Sequence, residues 1–427
     1  MEKVTNLNLQ ESYYIHQLEN GLQIIIFHKP EFVTTTAAFA TPYGALDFNQ
    51  IDENGVQFLS PAGIAHFLEH KMFESEKGDI MTEFSALGAN VNAFTSYTET
   101  VYYFSTSNEE IETPLTLLLD FVQKLEISEE SVEKEKGIIA EELNMYLQLS
   151  DTRLIFETLK NMYHNHPLSV DIGGSVESIY EISKEYLTQC HQLNYHPSKM
   201  LLIVAGPTPP ESIIEMVEKN QKTKVFKERV DIERLSIEEP FNCVKEFAEV
   251  EMEINQTKLS VSFKLNISEK DLMSRHKMEW ALRFLLDIHF SPMSQRYQQW
   301  LDEKKINDYF GYEISIGKDF GFLIFYGEQE DEETFKQFIF DSWCSIKKSL
   351  TTKEELSRLK RRYFGHSMMM FNQVGGICFS FIRTIFSGID FFDSLSIIQE
   401  ISMKDIQAVY DEVDLNNHTV LKISKNK

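Results

Sequence analysis

Three polar residues within five, His66, Glu69 and His70 of the segment HFLEH, have the types and spacing of a zinc-dependent hydrolase centre. On a helix, His66 and His70 stand one turn apart on a shared face and can direct two imidazoles at one ion, with Glu69 beside them. Such a pattern arises by chance in roughly a few per cent of comparable chains, so it needs a third ligand and a plausible frame. The segment 129–148, EESVEKEKGIIAEELNMYLQ, offers the ligand. Read as a helix, it carries an apolar stripe of Ile138, Ile139, Leu143 and Tyr146 interrupted by Glu142, a carboxylate that a cation would compensate. Glu135 lies two turns earlier on nearly the same face and suits an outer role, orienting a histidine. Glu141 is rotated by about 100 degrees and is the weaker ligand candidate. The expected chemistry is hydrolysis: zinc would acidify a water and polarise a carbonyl, and Glu69 would take the water proton and pass it to the leaving amine.

These residues need elements to hold them. The strands expected first are 20–29 and 32–41, and Pro61 can open a helix over 62–73 that carries HFLEH. A short helix follows over 79–87, then strands over 90–107 with a turn near 96–98. Helical patterns cover 111–126, 129–148, 151–162 and 183–193, a strand 200–205, and a helix 209–220. A charged, aperiodic stretch over 222–245 reads as a linker. The order then restarts: strands 246–254 and 258–265, helices 271–287 and 293–303, strands 309–317 and 321–328, helices 331–348, 352–373, 376–387 and 402–411, and a strand at 418–424. The fold class expected is α+β, two homologous α/β domains, each a mixed sheet with helices packed on one side. HFLEH has no counterpart in the second half, so one zinc ion, held in the first domain, is the expectation.

Composition narrows the function. The 427 residues suit two domains, and 42% hydrophobic residues suffice for folded cores. A net charge of -25 repels nucleic acid, and the short basic runs Lys347–Lys348 and Lys360–Arg362 read as solvated helix faces. Four scattered cysteines form no redox or metal motif, no run reaches the length of a membrane span, and the first residues lack a signal-like apolar core, so a cytoplasmic protein is expected.

HFLEH in this setting resembles the inverted motif of the pitrilysin and insulinase family of zinc peptidases, nearest its processing-peptidase-like branch and the insulinase-like proteins of Gram-positive bacteria. The segments GIAHFLEHKMFE, GANVNAFTSYTETVYYF, VEKEKGIIAEELNMY, NHPL, DIGGSVESI and YHPSKMLLIVAGP stand in the family's order. The resemblance implies a half-clamshell of a catalytic domain over 1–225, a linker over 226–245, and an inactive homologous domain over 246–427 that completes a substrate chamber. By the same resemblance His66, His70 and Glu142 are ligands, Glu69 is the base and Glu135 supports them, while Asn92, Ala93, Phe94 and Thr95 form the edge strand that receives an extended peptide. Gly173 and Gly174 match a structural turn near the site. The family often places an Arg, and a Tyr seven residues on, opposite the metal; here an ungapped match puts Leu301 and Asp308 there, with Arg296, Tyr309 and Tyr312 nearby but out of register. The implied partners are a peptide substrate and a second chain, either a copy or a related subunit without the zinc motif. An alternative is a non-catalytic or partner-dependent peptide-binding subunit of a heteromeric peptidase complex, with maturation of a secreted or modified peptide as its setting.

Overall fold

A computed structural model describes every residue except 76, 77, 236, 269 and 427. The chain divides into two compact units, and neither is a continuous half: one comprises 1–143, 170–236 and 368–387, the other 144–169, 237–367 and 388–427.

The first unit is built on a mixed sheet whose strand order is Glu2–Asn6, Glu11–Gln17, Gln23–His28, Leu201–Gly206, Thr35–Thr41, Thr100–Thr106, Ala89–Thr95. Leu201–Gly206 runs parallel to Gln23–His28; the other pairings are antiparallel. The central strands QIIIFH, TTAAFAT and LLIVAG are buried along almost their whole length, as continuous apolar runs require of strands covered on both faces. On one face Ile24, Ile26, Phe39, Leu202 and Tyr102 join a core with Phe67 and Leu68 of the helix Ile64–Met72 and Leu118 and Leu119 of the helix Glu112–Gln123. Against the other face lies a helix from late in the chain, Val374–Phe386: its Phe381 ring meets Phe27 at 4.4 Å, and Cys378 Sγ lies 3.7 Å from the Thr36 carbonyl oxygen.

The second unit repeats the plan with five strands in the order Phe247–Met252, His418–Lys425, Lys258–Lys264, Gly321–Glu328, Gly311–Ile316. The pattern of one parallel pair followed by three antiparallel pairs matches the last five strands of the first sheet, from Gln23–His28 to Ala89–Thr95. Its exchanged element is the helix Ser150–Met162: Leu154 packs on Leu421 and Ile423, and the Thr158 and Ser260 hydroxyls meet at 2.6 Å. Each unit therefore includes a helix encoded in the other half of the sequence, which the division at 226–245 does not express.

Other departures from the sequence reading are local. Two amino-terminal strands, Glu2–Asn6 and Glu11–Gln17, extend the first sheet, and Asn49–Asp52 and Gln57–Leu59 form a small sheet between the strand Thr35–Thr41 and the helix Ile64–Met72. That sheet is completed by Ile232–Arg234, drawn from the expected linker, of which residue 236 lies outside the described residues. Short polar strands carry no periodicity of their own and exist because a partner offers unpaired backbone groups. Among the described residues, no single helix is long and apolar enough to cross a membrane.

Candidate metal centre

HFLEH begins two residues into the helix Ile64–Met72, and the helix start is fixed by backbone contact. Gly63 holds φ at +86°, and a Cβ there would lie 2.2 Å from the Gly173 carbonyl oxygen. Gly174, at φ +84°, would bring a Cβ within 2.5 Å of the Ala62 carbonyl oxygen. Ser178 Oγ donates to that same Ala62 oxygen at 2.8 Å. The glycine pair thus admits the loop 171–174 against the helix start, so that the first turn, with His66, is pinned from behind.

Within the helix, Phe67, Leu68 and Met72 face the core, which turns His66 and His70 together toward the helix Glu129–Leu147. The buried face of this second helix is Val132, Lys136, Ile139, Ala140 and Leu143. Ile138 and Tyr146, placed by the sequence reading in the same stripe, are exposed, because the covered face follows an i, i+4, i+7, i+11 path about 100 degrees from Ile138. Glu142 sits at the margin of that face and reaches both histidines. His70 Nε2 lies 3.5 Å from Glu142 Oε2 and His66 Nε2 lies 3.9 Å from Glu142 Oε1. All three candidate ligand atoms fall within 4.8 Å of one another. Ligands about 2.1 Å from a tetrahedral zinc stand about 3.4 Å apart, so small adjustments close this set on an ion.

The electrostatics separate the two imidazoles. Burial, reinforced by His70, pushes the His66 pKa down to about 4, so the ring is neutral at pH 7 with one lone pair available. Its Nδ1 is buried without a hydrogen-bond partner. Burial also opposes charging of His70, but the hydrogen bond to Glu135 and the charges of Glu69, Glu142 and Glu135 prevail and raise its pKa. The His70 Nδ1 and Glu135 Oε1 are 3.1 Å apart, which leaves Nε2 for a metal. Burial would raise the Glu135 pKa, but the His70 hydrogen bond and the Lys71 ammonium, 3.6 Å from Oε2, bring it down. Two imidazoles and a carboxylate converging as electron-pair donors make a set that a divalent cation satisfies.

Beside them Glu69 is 9% exposed, and burial raises its pKa, with the Thr95 hydroxyl acting against the rise. Thr95 Oγ1 donates to Glu69 Oε2 at 2.7 Å. Thr95 ends the edge strand Ala89–Thr95, whose other side has no strand partner among the described residues. On that strand Asn92 and Phe94 are exposed, and the Ala93 N–H donates to Asn92 Oδ1 at 2.8 Å.

With that geometry in view, comparison with known proteins decides the family. Residues 60–175 match the family described as Insulinase (Peptidase family M16), and 181–363 match its companion, described as the Peptidase M16 inactive domain. The chain is 35% identical over 418 residues, 97% of either protein, to one of Bacillus subtilis (strain 168) described as an uncharacterized zinc protease, YmfH. The chain belongs to peptidase family M16. Among solved structures it is similar to one described as an M16-like peptidase, from Alicyclobacillus acidocaldarius: TM-score 0.90, 32% identity, 97% of this chain and 98% of that one. It also matches the mitochondrial-processing peptidase subunit beta of Neurospora crassa, 30% identical over 210 residues, 47% of this chain and 41% of that one. The family and the zinc-protease relatives support a zinc metallopeptidase.

The M16 match spans His66, Glu69, His70, Asn92–Thr95, Glu135 and Glu142, and the site draws on all of these but Asn92–Phe94 through side-chain contacts. The second-half candidates Arg296, Tyr309 and Tyr312 belong to the second unit, where each is engaged: Arg296 Nη1 with Ser345 Oγ at 2.8 Å, Tyr309 with Asp151 and Tyr312 with Asp287, both at 2.5 Å. Sequence reasoning overlooked two participants, Lys71 against Glu135 and the Thr95 hydroxyl on Glu69. A lysine directly after the motif was the signal available in the sequence for the first, and the structure shows it buried. The second depended on strand pairing.

Proposed function

We propose that this M16 chain is a zinc-dependent endopeptidase that hydrolyses extended or unfolded peptides. The observation that carries the reading is the meeting of His66, His70 and Glu142 within 4.8 Å, with the buried Glu69, its pKa raised by burial, alongside. His66, His70 and Glu142 would hold one zinc ion, which when bound supplies a polarised carbonyl and an acidified water. Glu69 takes the proton of the attacking water and returns it to the leaving amine; a carboxylate with a raised pKa is suited to both transfers. Glu135 keeps the His70 ring in the orientation and tautomer that present Nε2. The free edge of Ala89–Thr95 pairs the peptide by backbone hydrogen bonds, which selects for extended chains over folded ones. In this reading the unit that carries HFLEH is the catalytic one. Four cysteines without disulfides fit a reducing compartment such as the cytoplasm.

A second reading, activity only with a partner subunit, is favoured by one observation: Arg296, Tyr309 and Tyr312 are each hydrogen-bonded inside their own unit. The test is metal analysis and a peptide-library digest of the full chain, alone and with a homologous subunit lacking HFLEH, against Glu69→Gln. The expected result is about one zinc per chain in both forms and cleavage only with Glu69 intact. Absence of bound metal together with no Glu69-dependent cleavage, even with the partner, overturns the peptidase reading.

A further inference from the structure

The carboxylate of Glu69 is held by a single side chain from the peptide-receiving strand, and the neighbouring hydroxyl explains why that bond points one way. Thr95 and Thr100 face each other across the hairpin, and their hydroxyl oxygens are 3.5 Å apart. Thr100 is fully buried and donates its proton to the Tyr43 carbonyl oxygen at 2.8 Å. Its proton is therefore spent, and the proton of Thr95 goes to the acceptor-only carboxylate of Glu69 at 2.7 Å. This bond takes Oε2 and leaves Oε1 for the proton of an attacking water. Glu69 has three torsions and stands among the charges of His70 and Glu142, and Thr95 holds it through both its hydroxyl and its backbone, so loss of the hydroxyl removes one of two anchors and widens the range over which the carboxylate turns.

We infer that Thr95 is a positioning residue for the reaction: its hydroxyl fixes the Glu69 carboxylate in the orientation that receives the water proton. This rests on the endopeptidase reading above for its kinetic consequence, and on the hydrogen bond alone for its structural one. Because Thr95 also ends the edge strand, the side chain acts on the base while the backbone serves the peptide, and the two can be separated.

The test compares Thr95→Val and Thr95→Ala, which lack the hydroxyl, with Thr95→Ser, which keeps it, all in the full zinc-loaded chain. With a fluorogenic peptide, both hydroxyl-free variants should lose kcat by about 10- to 100-fold with KM within about threefold and bound zinc unchanged, and Thr95→Ser should return kcat to within about threefold of wild type. Crystal structures of zinc-loaded wild type and Thr95→Val should show the Glu69 carboxylate turned away in the variant. An unchanged kcat in the hydroxyl-free variants, an effect on KM alone, or a Thr95→Ser enzyme as slow as Thr95→Val overturns the inference. If wild type itself shows no Glu69-dependent cleavage, the endopeptidase reading fails, and the crystal structures decide the inference alone: a Glu69 carboxylate unmoved in Thr95→Val overturns it.

Discussion

The helices Ile64–Met72 and Leu272–Phe290 follow equivalent strands in two sheets of the same order, and each is approached by a later long helix, Glu129–Leu147 or Lys353–Met370. The chemistry at these two corresponding places is opposite. In the first unit the helices bring together imidazole and carboxylate lone pairs from His66, His70 and Glu142. In the second, Asp287 is the lone acceptor among donors: Tyr312 and Tyr363 at 2.5 Å each and Arg362 at 3.3 Å. Burial and the Asp287 charge raise the pKa of both tyrosines, which keeps them protonated as donors. One scaffold thus carries a cluster that calls for a cation and a cluster that is satisfied without one. The difference lies in whether acceptors or donors are in excess, and it accounts for a candidate metal-ligand group in the first unit alone among the described residues.

The largest expected effect comes from breaking the acceptor cluster. Glu142→Ala should lower bound zinc to a few per cent of wild type and peptide cleavage by about 1000-fold or more, read by metal analysis and initial rates; retention of stoichiometric zinc would remove Glu142 from the ligand set. Gly63→Ala attacks the frame instead. With its Cβ against the Gly173 oxygen and φ at +86°, a loss of about 3 kcal/mol in denaturant unfolding is expected.

Two smaller perturbations sharpen the contrast. Glu135→Ala should weaken zinc binding by about 10- to 100-fold in a chelator competition, since His70 loses its orienting acceptor. Asp287→Ala, at the corresponding place, should cost about 1–3 kcal/mol of stability by leaving donors unpaired while zinc per chain stays as in wild type. A fall in zinc content there would show that the two clusters are not independent.

The smallest effect is that of pH, and the two histidines again differ. A ligand must be neutral at the coordinating nitrogen, so protons compete with zinc only at a group whose pKa lies in the working range. His66, at about 4, stays neutral above pH 5, whereas His70, raised above 6.5, gains a proton as pH falls through its pKa. Zinc affinity should therefore decline by about tenfold per pH unit below the His70 pKa, measured by competition between pH 8 and 5.5. The metal-free form has the reverse linkage: protonated His70 stabilises it below the unfolded value of 6.5, and that contribution is lost as pH rises through the folded pKa. A flat affinity profile would remove His70 as the titrating ligand.

What could be read in the sequence was local. The i, i+4 spacing of His66 and His70, the intervening Glu69, the helix that carries Glu135 and Glu142, and the restart of element order near 246 all lie in short-range pattern, because helical periodicity is set within a few residues. The exposure of Ile138 and Tyr146 shows the limit of that pattern, since two of four expected stripe residues face away from the core. Tertiary structure alone decided the rest. The exchange of Ser150–Met162 and Val374–Phe386 between units, the strand Ile232–Arg234 within an apparent linker, the Gly63–Gly173 contact and the Thr95 bond to Glu69 join residues far apart in the chain. Each depends on which unpaired backbone group, apolar face or buried charge found its complement, and that is settled only when the whole chain packs.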